Sequence, residues 1–287
     1  MPHLFTQWGA EFTPAIVVRR GGRLHRQFGW DVPATDPAYR DLLAALLPAL
    51  CDVLDQEVGR ENVVFHISDE PSGVDGLRSY SRARDVIADL LEGWTVVDAL
   101  SDRAFYDSGA VRVPVVAVDH VSDFLPSRPD NLWVYYCVAQ VDRVANRFLA
   151  LPSARNRVLG HQMYVFEIDG FLHWGFNFYY SQYAERLIDP FRDTCAGGAF
   201  IGGDSFAVYP GPDGQALPSL RSKVHAQMVW DLRAFAEAAR LYGRDAVLRV
   251  LDPEGTLRFD TFSYDPQHYL DVRAAIDDLI IGATQGT

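Results

Sequence analysis

Val63-Val64-Phe65-His66-Ile67-Ser68-Asp69-Glu70-Pro71 is a short apolar run that stops abruptly on two carboxylates and a proline. The run of Val, Phe and Ile predicts a buried strand over 63–67. His66 inside it reads as a structural residue. Pro71 biases Glu70 toward an extended backbone. A buried strand that ends on paired acids is the unit from which the rest of the chain is read.

Outward from it, strand-like and helix-like patterns alternate. On the N-terminal side, Asp36 reads as a cap and Pro37 as the first residue of a helix over 36–57. Leu42, Leu43, Leu46, Leu47, Leu50 and Leu54 recur along it at helical spacing, with Pro48 as a bend. On the C-terminal side, 75–91 reads as a helix with Leu77, Tyr80, Ile87 and Leu91 on one face. Strands follow at Thr95–Leu100, Val113–Val118 and Leu132–Val138, then a helix over 152–166 and a fifth strand at Gly170–Trp174. These strands are near-continuous apolar runs, as in parallel sheets covered on both faces. Repeated strand–helix units imply a doubly wound sheet or a barrel. In either, function gathers at the carboxyl ends of the strands. Those ends carry Asp69-Glu70, Asp98 to Asp102, Asp119-His120, Tyr135-Tyr136 and Trp174 to Asn177, which favours one shared pocket. Residues 190–218 read as a glycine-rich loop of functional length. Helices over 219–242 and 266–282 close the chain; Ser219 caps the first, Gly243 stops it, and Val224, Met228, Leu232, Phe235 and Ala239 face its core.

Composition excludes several classes. The 287 residues are 48% hydrophobic, enough for a sizeable core in one domain. A net charge of -12 argues against a nucleic-acid partner, because phosphate binding needs clustered Lys and Arg. Cys51, Cys137 and Cys195 are too few and too scattered for a disulfide framework or zinc ligands. Cys137 reads as a small hydrophobe. The histidines show no paired spacing for a metal, so no cofactor is expected. Gly197-Gly198 and Gly202-Gly203-Asp204 lack the Lys-Ser/Thr of a phosphate loop, and no serine-hydrolase elbow is present. The first ten residues show no signal peptide and no stretch reaches the roughly 20 apolar residues of a membrane span. A cytoplasmic protein without membrane partners is expected, its oligomeric state left open.

Asp69 and Glu70 suit glycoside hydrolysis, which needs a proton donor and a second group that stabilises positive charge. In two-carboxylate mechanisms the groups face each other about 5 Å or more apart. Sequence neighbours more naturally share one side of the sugar. That arrangement fits substrate-assisted hydrolysis, in which the sugar's acetamido oxygen attacks the anomeric carbon. Glu70, with the longer reach, is then the acid, and Asp69 orients the acetamido group. The bland alternative is a pair that caps the following helix. Asp119 and His120 are candidates for sugar hydroxyls. Tyr135 and Tyr136 point to opposite faces, so only one can turn inward to hold an acetamido carbonyl. Asn146-Arg147 can fix a substrate or brace a loop. Trp174 and Asn177 supply a stacking plate and a hydroxyl ligand, and Asp204 can reach the same pocket. Trp8 and Trp30 read as core residues.

Taken together, His66-Ile-Ser-Asp-Glu-Pro71, Trp133-Val-Tyr-Tyr-Cys137, Asn146-Arg147-Phe148, Gly170-Phe-Leu-His-Trp-Gly175, Gly203-Asp-Ser-Phe-Ala-Val-Tyr-Pro-Gly211 and Ser219-Leu-Arg221 resemble the catalytic domain of glycoside hydrolase family 123 and its uncharacterised relatives. The resemblance runs through nearly the whole chain, in order. It implies an α/β fold of the (β/α)8 TIM-type barrel class in a single catalytic domain over 1–287. It also implies retaining hydrolysis of terminal β-linked N-acetylgalactosamine, with Asp69 matching the stabilising carboxylate and Glu70 the acid/base. The departure is at the front. His3 to Ala10 reads as the loop after the second barrel strand, so the first strand, its helix and most of the second strand are expected to be missing. Two other readings stand beside it: a non-catalytic carbohydrate-binding barrel, and a glycosidase for sugars without an acetamido group.

Overall fold

The computed structural model describes residues 5–141 and 143–285. Of the loop expected over 3–10, His3 and Leu4 lie outside them. The chain divides into two compact units that meet at Trp133/Val134.

The first unit opens with an antiparallel hairpin, β1 (Ile16–Arg20) and β2 (Arg23–Phe28). It was not among the expected elements, although its signal is plain. Gly21 and Gly22 have φ of 55° and 77°, the left-handed pair that a two-residue hairpin turn requires. Helix α1 (Pro37–Glu57) starts as expected: the Asp36 carboxylate accepts the Ala38 and Tyr39 N–H groups at 2.9 and 3.2 Å. Its buried stripe is Tyr39, Leu43, Leu47 and Cys51, each four residues apart, while Leu46 is exposed.

Strand β3 covers only Val64–Phe65, shorter than the expected 63–67. The cause is local. Beyond Phe65 the Ile67 and Ser68 N–H groups turn to the Asp98 carboxylate instead of a strand partner. Helix α2 (Gly73–Ile87) follows, buried through Tyr80, Ala83 and Ile87. Strand β4 (Thr95–Leu100) has the expected bounds and runs parallel to β3, with Phe65 opposite Val96. The short α3 (Ala104–Asp107) leads to β5 (Val113–Ala117), parallel to β4 with Leu100 opposite Val116. Trp8 and Trp30, expected in the core, are 59% and 55% exposed.

Strand β6 (Trp133–Tyr135) leads into the second unit, which continues with α4 (Ala154–Val165) and β7 (Gly170–Leu172). Strands β3 to β7 stand in chain order in one sheet. This is an α/β fold with part of a TIM-like barrel; the eight-stranded closure expected for (β/α)8 is not present among the described residues. The expected loop 190–218 contains a small hairpin, β8 (Val208–Pro210) and β9 (Ala216–Pro218). Helices α5 (Leu220–Tyr242), α6 (Arg244–Leu251) and α7 (Pro266–Gln285) close the unit. Ser219 caps α5 and Gly243 ends it as expected. Its buried face is Met228, Asp231, Ala234, Phe235 and Ala238, so Val224, Leu232 and Ala239 sit beside the core stripe.

Helix α4, expected over 152–166, carries no amphipathic stripe because Ala154 to Met163 are all buried. Among its buried polar side chains, Arg155, Asn156 and Arg157 are paired. Arg157 clasps Asp231 of α5 through two bonds of 2.8 and 3.1 Å, and Arg273 of α7 reaches the same carboxylate at 3.2 Å. Phe235, Val247, Leu251 and Ile276 pack the three closing helices together. Among the described residues no helix is long and apolar enough to cross a membrane.

Candidate active site

In the first unit the candidate acids sit where β3 ends. Asp98, fully buried on β4, fixes that end. Its Oδ1 accepts the Ile67 and Ser68 N–H groups at 3.1 and 2.9 Å and lies 2.9 Å from His66 Nδ1. Its Oδ2 accepts the Tyr80 hydroxyl of α2. A buried carboxylate is tolerable only when its lone pairs are met, and here three hydrogen-bond donors meet them beside the His66 ring. From the N-terminal side, Thr6 Oγ1 donates to the Ile67 carbonyl at 2.8 Å and Gly9 N–H to the Asp69 carbonyl at 3.4 Å.

The chain then turns within Asp69-Glu70. Glu70 has φ of +45° and is not extended as Pro71 predicted. A left-handed backbone on a residue with a Cβ costs about 1–2 kcal/mol, and it bends the chain before the proline. The pair does not occupy the cap position of α2. That place is Ser72, and the Gly73 N–H goes to Asp102 Oδ2 at 3.3 Å.

Electrostatics set Asp69 apart from an ordinary surface carboxylate. Burial, and then the charge of Glu70, push the Asp69 carboxyl up to about 6, with His66 pulling the other way. Burial disfavours the imidazolium of His66, but the hydrogen bond and charge of Asp98 and the charge of Asp69 outweigh it and raise its pKa. Asp119 and His120 lie exposed in the turn after β5, paired through Oδ1 and Nδ1 at 2.9 Å.

In the second unit, Tyr135 and Tyr136 are both buried. Tyr136 lies just past the end of β6. The Tyr136 hydroxyl lies 2.6 Å from His225 Nε2 and 3.3 Å from Asn156 Oδ1, and its ring packs on Phe171 and His173. Burial and the charges of Arg147 and Arg221 lower the His225 pKa to about 3. Asn146 is occupied locally: its amide donates to the Cys137 and Gln140 carbonyls at 2.9 Å each and accepts the Arg147 N–H at 2.7 Å. Arg147 is buried and donates through Nη2 to His173 Nδ1 at 2.7 Å, to the Asp204 carbonyl at 3.0 Å and to the Gly175 carbonyl. Burial brings its pKa down to about 10.

Trp174 is 42% exposed and donates Nε1–H to Asp204 Oδ2 at 3.2 Å. Segment 174–178 lies against 204–207. Ala207 N–H reaches the Phe176 carbonyl at 2.8 Å, Phe178 N–H reaches the Ser205 carbonyl at 3.1 Å, and Asn177 bridges Phe206. Gly175 permits this approach, because a Cβ there would stand 2.8 Å from the Ser205 carbonyl oxygen. Asn177 is exposed.

The model of the family described as "Glycoside hydrolase 123, catalytic domain" matches residues 1–238. The chain belongs to glycoside hydrolase family 123. Among solved structures it is similar to a family 123 glycoside hydrolase from Clostridium perfringens, studied for glycolipid glycan hydrolysis, with a TM-score of 0.61 and 11% identity. The alignment covers 92% of this chain and 47% of that one, so this chain spans less than half the length of the Clostridium enzyme. At that identity the likeness concerns the fold. No curated protein matches the chain.

Within this family 123 domain, several organising residues escaped the sequence reading. Asp98 had a signal: one charged residue within Val96-Val97-Asp98-Ala99-Leu100 must be paired if the strand is buried. His173 and Arg221 lie in segments that carried the family resemblance but had no role attached. His225 and Tyr80 left no signal in one sequence, because their partners are 89 and 18 residues away.

Proposed function

We propose that this family 123 chain is a glycosidase that removes terminal β-linked N-acetylgalactosamine with retention. The observation that carries the proposal is the Asp69-Glu70 pair on a fixed strand end in a chain that belongs to this family. The acetamido oxygen of the substrate attacks the anomeric carbon as the glycosidic C–O bond breaks. Glu70 gives its proton to the leaving oxygen. Asp69, ionised, holds the acetamido N–H and stabilises the oxazolinium ring. Water then opens that ring, and Glu70 takes the proton back. In the second unit Trp174 supplies an apolar plate for a sugar face, with Asn177 as a hydroxyl ligand; in the first unit Asp119 and His120 are hydroxyl ligands. Glycolipid glycans, the substrates associated with the Clostridium enzyme, are the first natural class to try.

The test is release of the aryl group from an aryl β-N-acetylgalactosaminide by wild type and by Glu70→Gln. Loss of the general acid is expected to lower kcat by roughly 10²–10⁴-fold. Equal rates in the two proteins would reject Glu70 as the acid. Inhibition by an N-acetyl thiazoline mimic separates an acetamido-assisted site from one for other sugars. Sugar binding by folded protein without turnover would establish the second reading, a carbohydrate-binding barrel.

A further inference from the structure

We infer that Asp204 and His173 are positioning residues that hold the indole of Trp174 in one orientation, and that Arg147 fixes the tautomer of His173 on which this depends. The inference deepens the reading of Trp174 as a sugar plate, and its first test does not depend on that reading.

Two N–H groups point at His173 Nδ1, Arg147 Nη2 at 2.7 Å and Gly175 N at 3.0 Å. A guanidinium and a backbone amide can only donate, so Nδ1 holds a lone pair. The imidazole is neutral, because burial and the charges of Arg147, His225 and Arg221 press its pKa well down. Its single proton is therefore on Nε2, which faces Asp204 Oδ1 at 3.8 Å. A proton on that nitrogen favours the ionised Asp204. Carboxylate Oδ2 then accepts the indole N–H at 3.2 Å, a charge-assisted bond.

The backbone is fixed by the same arginine. Arg147 donates to the carbonyls of Gly175 and Asp204, and so ties the two segments that carry the indole and its acceptor. Phe178 and Phe200 pack edge-on against the indole at 5.2 and 5.4 Å. The indole is thus braced by two rings, yet the side chain stays 42% exposed. Asp204 itself is completely buried. It acts on a ligand through Trp174.

The experiment is proton NMR of the full chain with 15N-labelled indoles, the Trp174 resonance being identified by its loss in Trp174→Phe. In wild type the Trp174 Nε1–H is expected to exchange with water roughly tenfold more slowly than those of the exposed Trp8 and Trp230. Asp204→Ala should abolish the protection, and Asp204→Asn, which keeps an oxygen acceptor, should restore part of it. Exchange of Trp174 at the rate of Trp8 in wild type would overturn the proposal, even if the Asp204 variants do not fold and no glycosidase activity is found. Where turnover is measurable, Asp204→Ala should raise KM several-fold with kcat little changed, and Asp204→Asn should recover much of it. A fall in kcat at constant KM would also overturn it, by placing Asp204 at the reacting atoms.

Discussion

Asp69→Asn should make the protein more stable at neutral pH while it impairs the proposed chemistry. The carboxyl has a native pKa of about 6 against an ordinary 3.8, so the native state binds this proton more tightly than the unfolded chain does. The sign follows from that order. Below about pH 4 both states are protonated and the side chain carries no penalty. As pH rises toward about 6 the unfolded chain ionises first and native stability falls. Above 6 the penalty is complete. A shift of about two units corresponds to about 3 kcal/mol, an upper figure because water still reaches the partly exposed carboxyl. Asparagine cannot ionise and removes the penalty. Urea unfolding followed by circular dichroism should therefore show a gain of up to about 3 kcal/mol at pH 7.5 and almost none at pH 3.5. If the carboxylate stabilises the oxazolinium, the acid limb of the wild-type pH–rate profile should fall near pH 6 and be absent in the variant. A gain that is equal at both pH values, or no gain at all, would refute the reasoning.

Asp98→Ala strips the acceptor from Ile67, Ser68 and Tyr80 at once and should destabilise by about 3–5 kcal/mol in denaturant unfolding. Combined with Tyr80→Phe the losses should be less than additive by about 1 kcal/mol or more, because both changes remove one shared bond. Asp231→Ala leaves Arg157 buried without its carboxylate and frees Arg273 of α7, and should cost about 3–5 kcal/mol by the same measurement. Arg273→Met, at the more exposed end of that network, should cost under about 1.5 kcal/mol.

The parallel strands were legible because each is an apolar run bounded by polar residues; β4 has the expected ends. Helix α1 was legible from Asp36-Pro37, a cap whose chemistry is entirely local. What escaped depends on partners distant in sequence. The end of β3 is decided by Asp98 on the next strand, which takes two backbone N–H groups that a strand would otherwise offer to its neighbour. The backbone of Glu70 is decided by the turn it must complete, against the preference that Pro71 imposes. Asn146 and Arg147 were readable as functional or as bracing residues, and only their buried hydrogen bonds show what they hold: a loop in one case, the His173 ring in the other. Helix α4 hid its packing because every face is buried, so no polar stripe marks an outside.

The Asp69-Glu70 turn concentrates two unfavourable features in two residues: a carboxyl whose charge is opposed by burial and by its neighbour, and a left-handed backbone on a residue with a side chain. Either could be relieved by one substitution, an amide at 69 or a glycine at 70. Immediately before them the chain is over-determined, since Ile67 and Ser68 are pinned by a buried carboxylate that also binds α2. Strain of this kind persists only where the surroundings enforce it. A turn that merely linked β3 to α2 would need neither feature, because the start of α2 already has Asp102 as its acceptor. Rigid support directly behind such a turn is the arrangement that a site needs when it must hold two neighbouring carboxyls in one fixed place. It is the physical reason to look for the chemistry there.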